Sequence, residues 1–346
     1  MNFINKHIIS NFEFLDLVII LSYIFLIFPY LIFFLNKICV NFNILDFPDS
    51  RKNHKFATPL SGGLALTISL VSIYTFLYFI KIENINFFFD ILFYSIVFCI
   101  FGIIDDVKSP NTKIKIFVII FLILLILILS NELTISILNF KYISEKSFIL
   151  GAFSIPFTLF CIFMFFNALN YTDGKNGISI SYSLFILIYL LSLKQDNSII
   201  LFFILCLFIL LLFNLKSKLF LGNSGVNFIS IFLSLLIIKI YNSDPRLDFY
   251  CDEIFLLMLI PGVDAARVTI YRIHKKMSPF LPDHQHFHHH LEEYISNKYI
   301  WFFYLIISIL PILILKLSDN FFISTIVPIS IYVVLLNKFF KKKLHS

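Results

Sequence analysis

The chain has 346 residues, of which 59% are hydrophobic and only 14% charged, with a net charge of +6 at pH 7. A soluble domain carries roughly 25% charged and 45–50% apolar residues, so this composition excludes a water-soluble globular enzyme and implies a helical membrane protein. The five cysteines form no Cys-x-x-Cys pair, which argues against a disulfide framework or a zinc site and leaves them as small apolar packers.

Residues 1–12 are polar and lack a cleavable-signal pattern, so the first apolar run is expected to be retained. A spanning helix needs about 20 apolar residues. About eleven such spans are predicted, at 14–35, 60–80, 87–104, 114–130, 148–166, 178–193, 198–213, 227–241, 252–268, 300–317 and 321–337. The connections then alternate sides. Connections 36–59, 105–113, 167–177, 214–226 and 269–299, with the tail after Leu336, hold most of the 27 Lys and Arg. The positive-inside rule places these in the cytoplasm, with the N-terminus outside and the C-terminus inside. The predicted fold is therefore all-α, a polytopic membrane bundle forming one integral-membrane domain over residues 1–346. The basic tail suits an anionic inner leaflet, or serves simply as a topology anchor.

Every connection with unusual chemistry falls in the cytoplasmic set. The outer ones, such as "KIENIN" and "KQDNS", are short and ordinary. An enzyme or receptor working at one face fits this better than a transporter, which would place ionisable groups deep in the membrane and on both sides.

The first island, "DFPDSRKNHKFATPLSGG" at 46–63, clusters Arg51, Lys52, His54 and Lys55 before Gly62 and Gly63. Cations near a helix start, beside glycine backbone, can hold a phosphate. A topology signal followed by a turn is the plainer alternative. The second island, "DDVK", sets Asp105 beside Asp106 where an apolar run ends. Neighbours on a helix point about 100° apart, so two carboxylates reach one ion only at a helix end or loop. Magnesium takes a few carboxylates plus substrate phosphates; a solvated helix stop is the alternative.

In the third island, "NALNYTDGKNG", Asn167, Asn170 and Asp173 recur at i, i+3 and i+6 as one polar stripe continuing an apolar span. Each such group at membrane depth needs a partner. The fourth, "KLFLGNSGVNF", places Gly222, Asn223, Ser224 and Gly225 before a span, where backbone N–H groups favour anions; a plain interhelical turn is the simpler alternative. The fifth runs from Pro261 to Leu291. Asp264 and Arg267 read there as a structural ion pair, and Arg272 is grouped with the histidines as a substrate contact. Asp283, His284, His286, His288, His289 and His290 follow. The spacing of His286, His288 and His289 allows a transition metal, but no cysteine lies nearby; hydrogen bonds to a diphosphate are the preferred reading, ordinary surface histidines the alternative, and histidine gains charge below about pH 6.5.

In order and wording, from residue 46 to about 291, these five islands resemble the polyprenyl-phosphate N-acetylhexosamine-1-phosphate transferases, glycosyltransferase family 4. The "SPFLPD…HFHH" island is more similar to the undecaprenyl-phosphate GlcNAc-1-phosphate branch than to the phospho-MurNAc-pentapeptide branch. The resemblance implies a helical bundle of ten or eleven spans with a cytoplasmic active site. It implies Asp105, Asp106 and Asp173 as catalytic residues. Arg51, Lys52, His54, Asn167, Asn170, Arg272, His286, His288 and His289 would contact substrate. Magnesium, with manganese as the alternative, would sit on Asp173, Asp105, Asp106 and Asn223.

The implied reaction moves an N-acetylhexosamine-1-phosphate from a UDP-sugar to undecaprenyl phosphate in the bacterial cytoplasmic membrane, releasing UMP as the first membrane step of a cell-surface polysaccharide. No nucleic acid is implied, and a homodimer is the implied assembly. Two positions depart from the family pattern. Asn223 stands where the family usually has a magnesium-binding Asp, and Asn176 replaces the second Asp of Asp-Gly-x-Asp-Gly. The alternatives are a MurNAc-pentapeptide-type transferase, a catalytically silent homologue and, last, a transporter.

Overall fold

The computed structural model describes residues 14–48, 56–82, 85–193, 198–243, 249–278 and 285–343. Helices dominate. In chain order they are α1 (Phe14–Ser22), a π-helical turn (Tyr23–Ile27), α2 (Phe28–Asn41), α3 (Gly62–Phe79), α4 (Phe89–Lys108), α5 (Thr112–Leu129) and α6 (Ser154–Thr172). There follow α7 (Ile178–Ser192), α8 (Ser198–Leu215), α9 (Gly222–Ser243), α10 (Cys251–Leu257), α11 (Leu259–His274), α12 (Phe287–Leu291), α13 (Ile300–Ser318) and α14 (Phe321–Lys343). Two short antiparallel pairs complete the described residues: β1 (Leu45–Asp46) with β2 (Thr58–Pro59), and β3 (Ile137–Asn139) with β4 (Ser147–Ile149).

Each predicted span coincides with helix. Among the described residues, 8 helical stretches are long and apolar enough to cross a membrane, and 9 if the bent pair α10–α11 is counted as one span. α7 and the apolar part of α14, Phe321–Leu336, are shorter. At 1.5 Å per residue α7 is roughly 22 Å long, against a hydrocarbon core of about 30 Å. The fifth predicted span starts late, because residues 147–149 pair as β4 and helix begins only at Ser154.

The 64° bend between α10 and α11 has a local cause. Pro261 has no N–H to give to the carbonyl of Leu257, four residues earlier. That carbonyl instead accepts the Tyr182 hydroxyl at 2.7 Å.

The chain divides into two compact units, residues 1–109 with 183–233 and residues 110–182 with 234–346. In the first, α3 and α4 approach α9 through glycine. A Cβ at Gly63 would lie 2.2 Å from the Gly225 nitrogen, and one at Gly102 would lie 2.5 Å from Ser224 Cα. Small residues are how helices approach closely in lipid, where apolar burial alone gives little drive. Phe203 packs edge-on against Phe232, their ring centroids 4.7 Å apart.

In the second unit, Ile178, Ile260, Phe287, Leu291, Ile300, Tyr304, Ile307, Tyr332 and Leu336 form one buried cluster. It ties α11, α12, α13 and α14 together. The β3–β4 hairpin contradicts the expectation that the outer connections are ordinary. Asp252 Oδ2, buried at the start of α10, accepts the backbone N–H groups of Lys141 (2.7 Å) and Tyr142 (3.2 Å). The Tyr241 hydroxyl accepts from Asn139 N at 2.7 Å and donates to Ile137 O at 2.9 Å.

Candidate functional site

In the first unit the aspartate pair closes α4. The helix ends at Lys108, Ser109 turns into the left-handed region (φ 43°), and Pro110 follows. Asp105 is buried, 6% exposed, whereas Asp106 reaches the start of α9. Asp106 Oδ1 accepts from the Asn223 backbone N and from Asn223 Nδ2, both at 2.9 Å, and Oδ2 accepts from Ser224 N at 3.1 Å. A carboxylate only accepts hydrogen bonds, so the amide nitrogen of Asn223, not its oxygen, must face it.

The anion at the start of α9 is therefore supplied by the chain itself. Gly222, with φ +70°, lets the turn form; a Cβ there would lie 2.7 Å from Asp106 Oδ2. The glycines of the first island likewise serve packing rather than ligand capture. Gly62 N and Gly63 N donate to Phe220 O (3.0 Å) and Leu221 O (3.1 Å). Asn223 turns its Nδ2 to Asp106, which leaves its Oδ1 as the side-chain atom able to meet a cation.

In the second unit α6 ends in the third island. Asn167 Nδ2 and Asn170 Nδ2 each turn back to the carbonyl four residues earlier, Phe163 O at 2.7 Å and Phe166 O at 2.8 Å. The amide oxygens remain as the groups able to meet a ligand. Asp173 is the C-terminal cap of α6, and its Oδ1 accepts from Ser179 Oγ at 2.6 Å. Beside it, Gly174 is a seat for the histidine island: a Cβ there would lie 2.3 Å from His288 Nε2. Lys175 Nζ and Glu292 Oε2 form an ion pair at 2.6 Å. Burial alone would raise Glu292, but hydrogen bonds from Lys175 and Asn297, with the positive charge of Lys175 nearby, together hold the carboxyl below its usual range. Two islands more than a hundred residues apart in sequence thus meet as one structure.

Asp264, on α11, organises this cluster. Its Oδ1 accepts from Arg267 Nη2 (2.8 Å), Tyr332 OH (2.7 Å) and Phe287 N (3.1 Å), and its Oδ2 lies 2.9 Å from His286 Nδ1. Arg267 also donates Nε to the Tyr332 hydroxyl at 2.7 Å and Nη2 to Gln285 O. The expected Asp264–Arg267 pair exists, but it is one edge of a hub.

His286 lies against two rings: Tyr171, with centroids 4.8 Å apart, and His288, 5.8 Å away and nearly parallel at 3°. His288 meets His289 at 4.2 Å. Arg272 is buried, 1% exposed, with its guanidinium 5.8 Å from the Tyr171 ring centre. Among the described residues the histidines do not join other His, Cys, Asp or Glu side chains in a group of three placed as transition-metal ligands, and His286 spends Nδ1 on Asp264.

The imidazoles are not alike. Burial, with His289 and His286 alongside, drives His288 well below the ordinary histidine value. Its Nε2 has no hydrogen-bond partner among the described residues. Burial and then Arg267 lower His290 as well. Neither ring gains charge near pH 6.5 as the sequence alone suggests. His289 is the half-buried member of the tract. Arg51, Lys52, His54, Asp283 and His284 lie outside the described residues.

Residues 88–241 match the model of the family described as glycosyl transferase family 4. The matched stretch takes in the second, third and fourth islands, in agreement with the resemblance those islands carry. Relatives extend the likeness. A Bacillus subtilis (strain 168) protein named a probable undecaprenyl-phosphate N-acetylglucosaminyl 1-phosphate transferase is 26% identical over 269 residues, 74% of this chain and 71% of its own length. Undecaprenyl-phosphate alpha-N-acetylglucosaminyl 1-phosphate transferases of Yersinia pestis and of Escherichia coli (strain K12) are 25% and 24% identical. They match over 78% and 77% of this chain, and over 75% and 74% of their own lengths respectively.

Proposed function

We propose that the chain transfers an N-acetylhexosamine-1-phosphate, GlcNAc-1-phosphate or a related amino sugar, from a UDP-sugar to undecaprenyl phosphate, releasing UMP. A lipid phosphate oxygen gains a bond to the sugar-bearing phosphorus, and the bridging bond to UMP breaks. The work would be done at the cytoplasmic face of a bacterial inner membrane, as the first membrane step of a surface polysaccharide. The carrying observation is the meeting of the Asp173–Lys175 turn with the histidine island. It gathers amide oxygens, imidazoles and a carboxylate at one end of the second unit.

The physical problem is one anion approaching another. The acceptor is a phosphate monoester with a second pKa near 6, mostly ionised at neutral pH, so removing a proton from it is a minor task. Positioning and charge neutralisation are the major ones. The donor set is hard oxygen, which suits magnesium, an ion that takes one or two carboxylates with substrate phosphates and keeps its waters. Asp105, Asp106 and Asp173 are the carboxylates proposed for it, with manganese as the alternative. When bound, such an ion offsets phosphate charge and stabilises departing UMP. Asn167, Asn170, His286 and His289 are proposed as polar contacts to the donor. His288 is proposed to hold the Asp173 turn in place as a neutral ring. A homodimer remains part of the proposal.

A second reading, a catalytically silent binder, is favoured by one observation: Asn223 gives both its backbone N–H and its Nδ2 to Asp106. Membranes containing the full chain, given magnesium, undecaprenyl phosphate and a panel of labelled UDP-sugars, separate the two. Label entering the lipid extract supports transfer; donor binding without labelled lipid supports the silent reading.

A further inference from the structure

We propose that Asp264 is a positioning residue for this transfer, acting through His286. The inference rests on the transferase function proposed above. Asp264 is 4% exposed, so a phosphate does not reach it directly. Its four partners, Arg267, Tyr332, His286 and the Phe287 backbone, all present a nitrogen or hydroxyl to it. Such a convergence on one buried carboxylate fixes the proton on His286 Nδ1, because an unprotonated Nδ1 would set a lone pair against a carboxylate oxygen at 2.9 Å. The other ring nitrogen, Nε2, is then the one available to a ligand.

The same bonds fix the ring's plane. Tyr332, on α14, and Phe287, on α12, reach Asp264 from two different elements, so α11, α12 and α14 are all pinned at the point where His286 begins its stack with His288. A ring held by a carboxylate at one nitrogen and packed against two aromatic neighbours has little freedom left. Removing an orienting partner from a functional imidazole typically lowers activity by about 10–100-fold.

The test is a double-mutant cycle on the full chain in membranes, read as kcat/KM for sugar-phosphate transfer. Asp264→Asn places an amide N–H against one of four donors and is expected to lower kcat/KM by about 10–100-fold. His286→Gln removes the ring through which Asp264 acts while keeping a polar side chain. In that background Asp264→Asn is expected to cost almost nothing further, since both changes remove one interaction. Multiplicative losses, or a wild-type rate in Asp264→Asn, overturn the proposal while leaving the transferase function standing. Where Asp264→Asn does not reach the membrane, Tyr332→Phe, which deletes only a hydroxyl, replaces it in the same cycle. A wild-type chain that transfers no sugar-phosphate from any donor removes the transferase function and the positioning role with it.

Discussion

Gly174 and His288 share one space: the atom that alanine would add at 174 falls 2.3 Å from the imidazole Nε2. Gly174 is not among the residues of positive φ. The requirement for glycine is steric, and it lies in a residue 114 positions away. Gly174→Ala must displace the ring or the turn, an overpacking that costs about 1–3 kcal/mol. Transfer activity is expected to fall by about 5–150-fold, the rate equivalent of the same free energy. Gly262, with nothing within 4 Å of its added Cβ, is the matched control. Gly262→Ala is expected to keep full activity and Tm.

The Asp106–Asn223 contact carries a second expectation. Asn223→Asp would set two carboxylates about where Nδ2 and Oδ1 now lie 2.9 Å apart. Like charges at that distance need a cation or a proton between them. Without divalent ions the variant is expected to have a lower Tm than wild type, and magnesium is expected to raise its Tm more than it raises that of wild type. A Tm response to magnesium identical to the wild-type one would place residue 223 away from any ion.

The three aspartates are expected to separate by phenotype. Asp106 caps α9, so Asp106→Ala is expected to lower stability by about 0.5–2 kcal/mol as well as activity. Asp105→Asn and Asp173→Asn are expected to abolish UMP release. Wild-type rates in either would remove that residue from the proposed chemistry.

Acid should loosen the histidine cluster. His288 and His290 titrate below their ordinary value in the folded chain, so the unfolded chain binds more protons between that lowered pKa and about pH 6.5. Their contribution to stability is therefore complete above pH 6.5 and is lost as pH falls below it. Glu292, also lowered, loses its contribution only below the ordinary carboxylate range, outside this window. Thermal unfolding between pH 7.5 and 5.5 is expected to show a falling Tm, and His288→Gln is expected to flatten the fall. An equally steep fall in that variant would show that His288 is not the group responsible.

Hydropathy made the helices legible, because about 20 apolar residues admit few alternatives in lipid. The aspartate pair, the Asn-x-x-Asn-x-x-Asp stripe and the histidines were legible as polar groups that need partners. What they partner was not. The i, i+3 spacing of Asp264 and Arg267 explains their ion pair, but His286 and Tyr332 come from elements that no local pattern connects to α11. Gly62, Gly63 and Gly102 look like flexible backbone in one dimension; the helix start they admit, 219–225, is visible only in three. The β3–β4 hairpin was hidden for a similar reason, its polar backbone being satisfied by Asp252 and Tyr241 from far along the chain.

The most direct measurement follows two labels at once in membranes holding the full chain, magnesium and undecaprenyl phosphate. The donor is UDP-GlcNAc carrying one isotope in the sugar and another in the β-phosphate. Both labels are expected to enter the lipid extract in equal amounts, matched by UMP. Sugar label entering lipid without the β-phosphate, with UDP released in place of UMP, would contradict transfer of a sugar-1-phosphate.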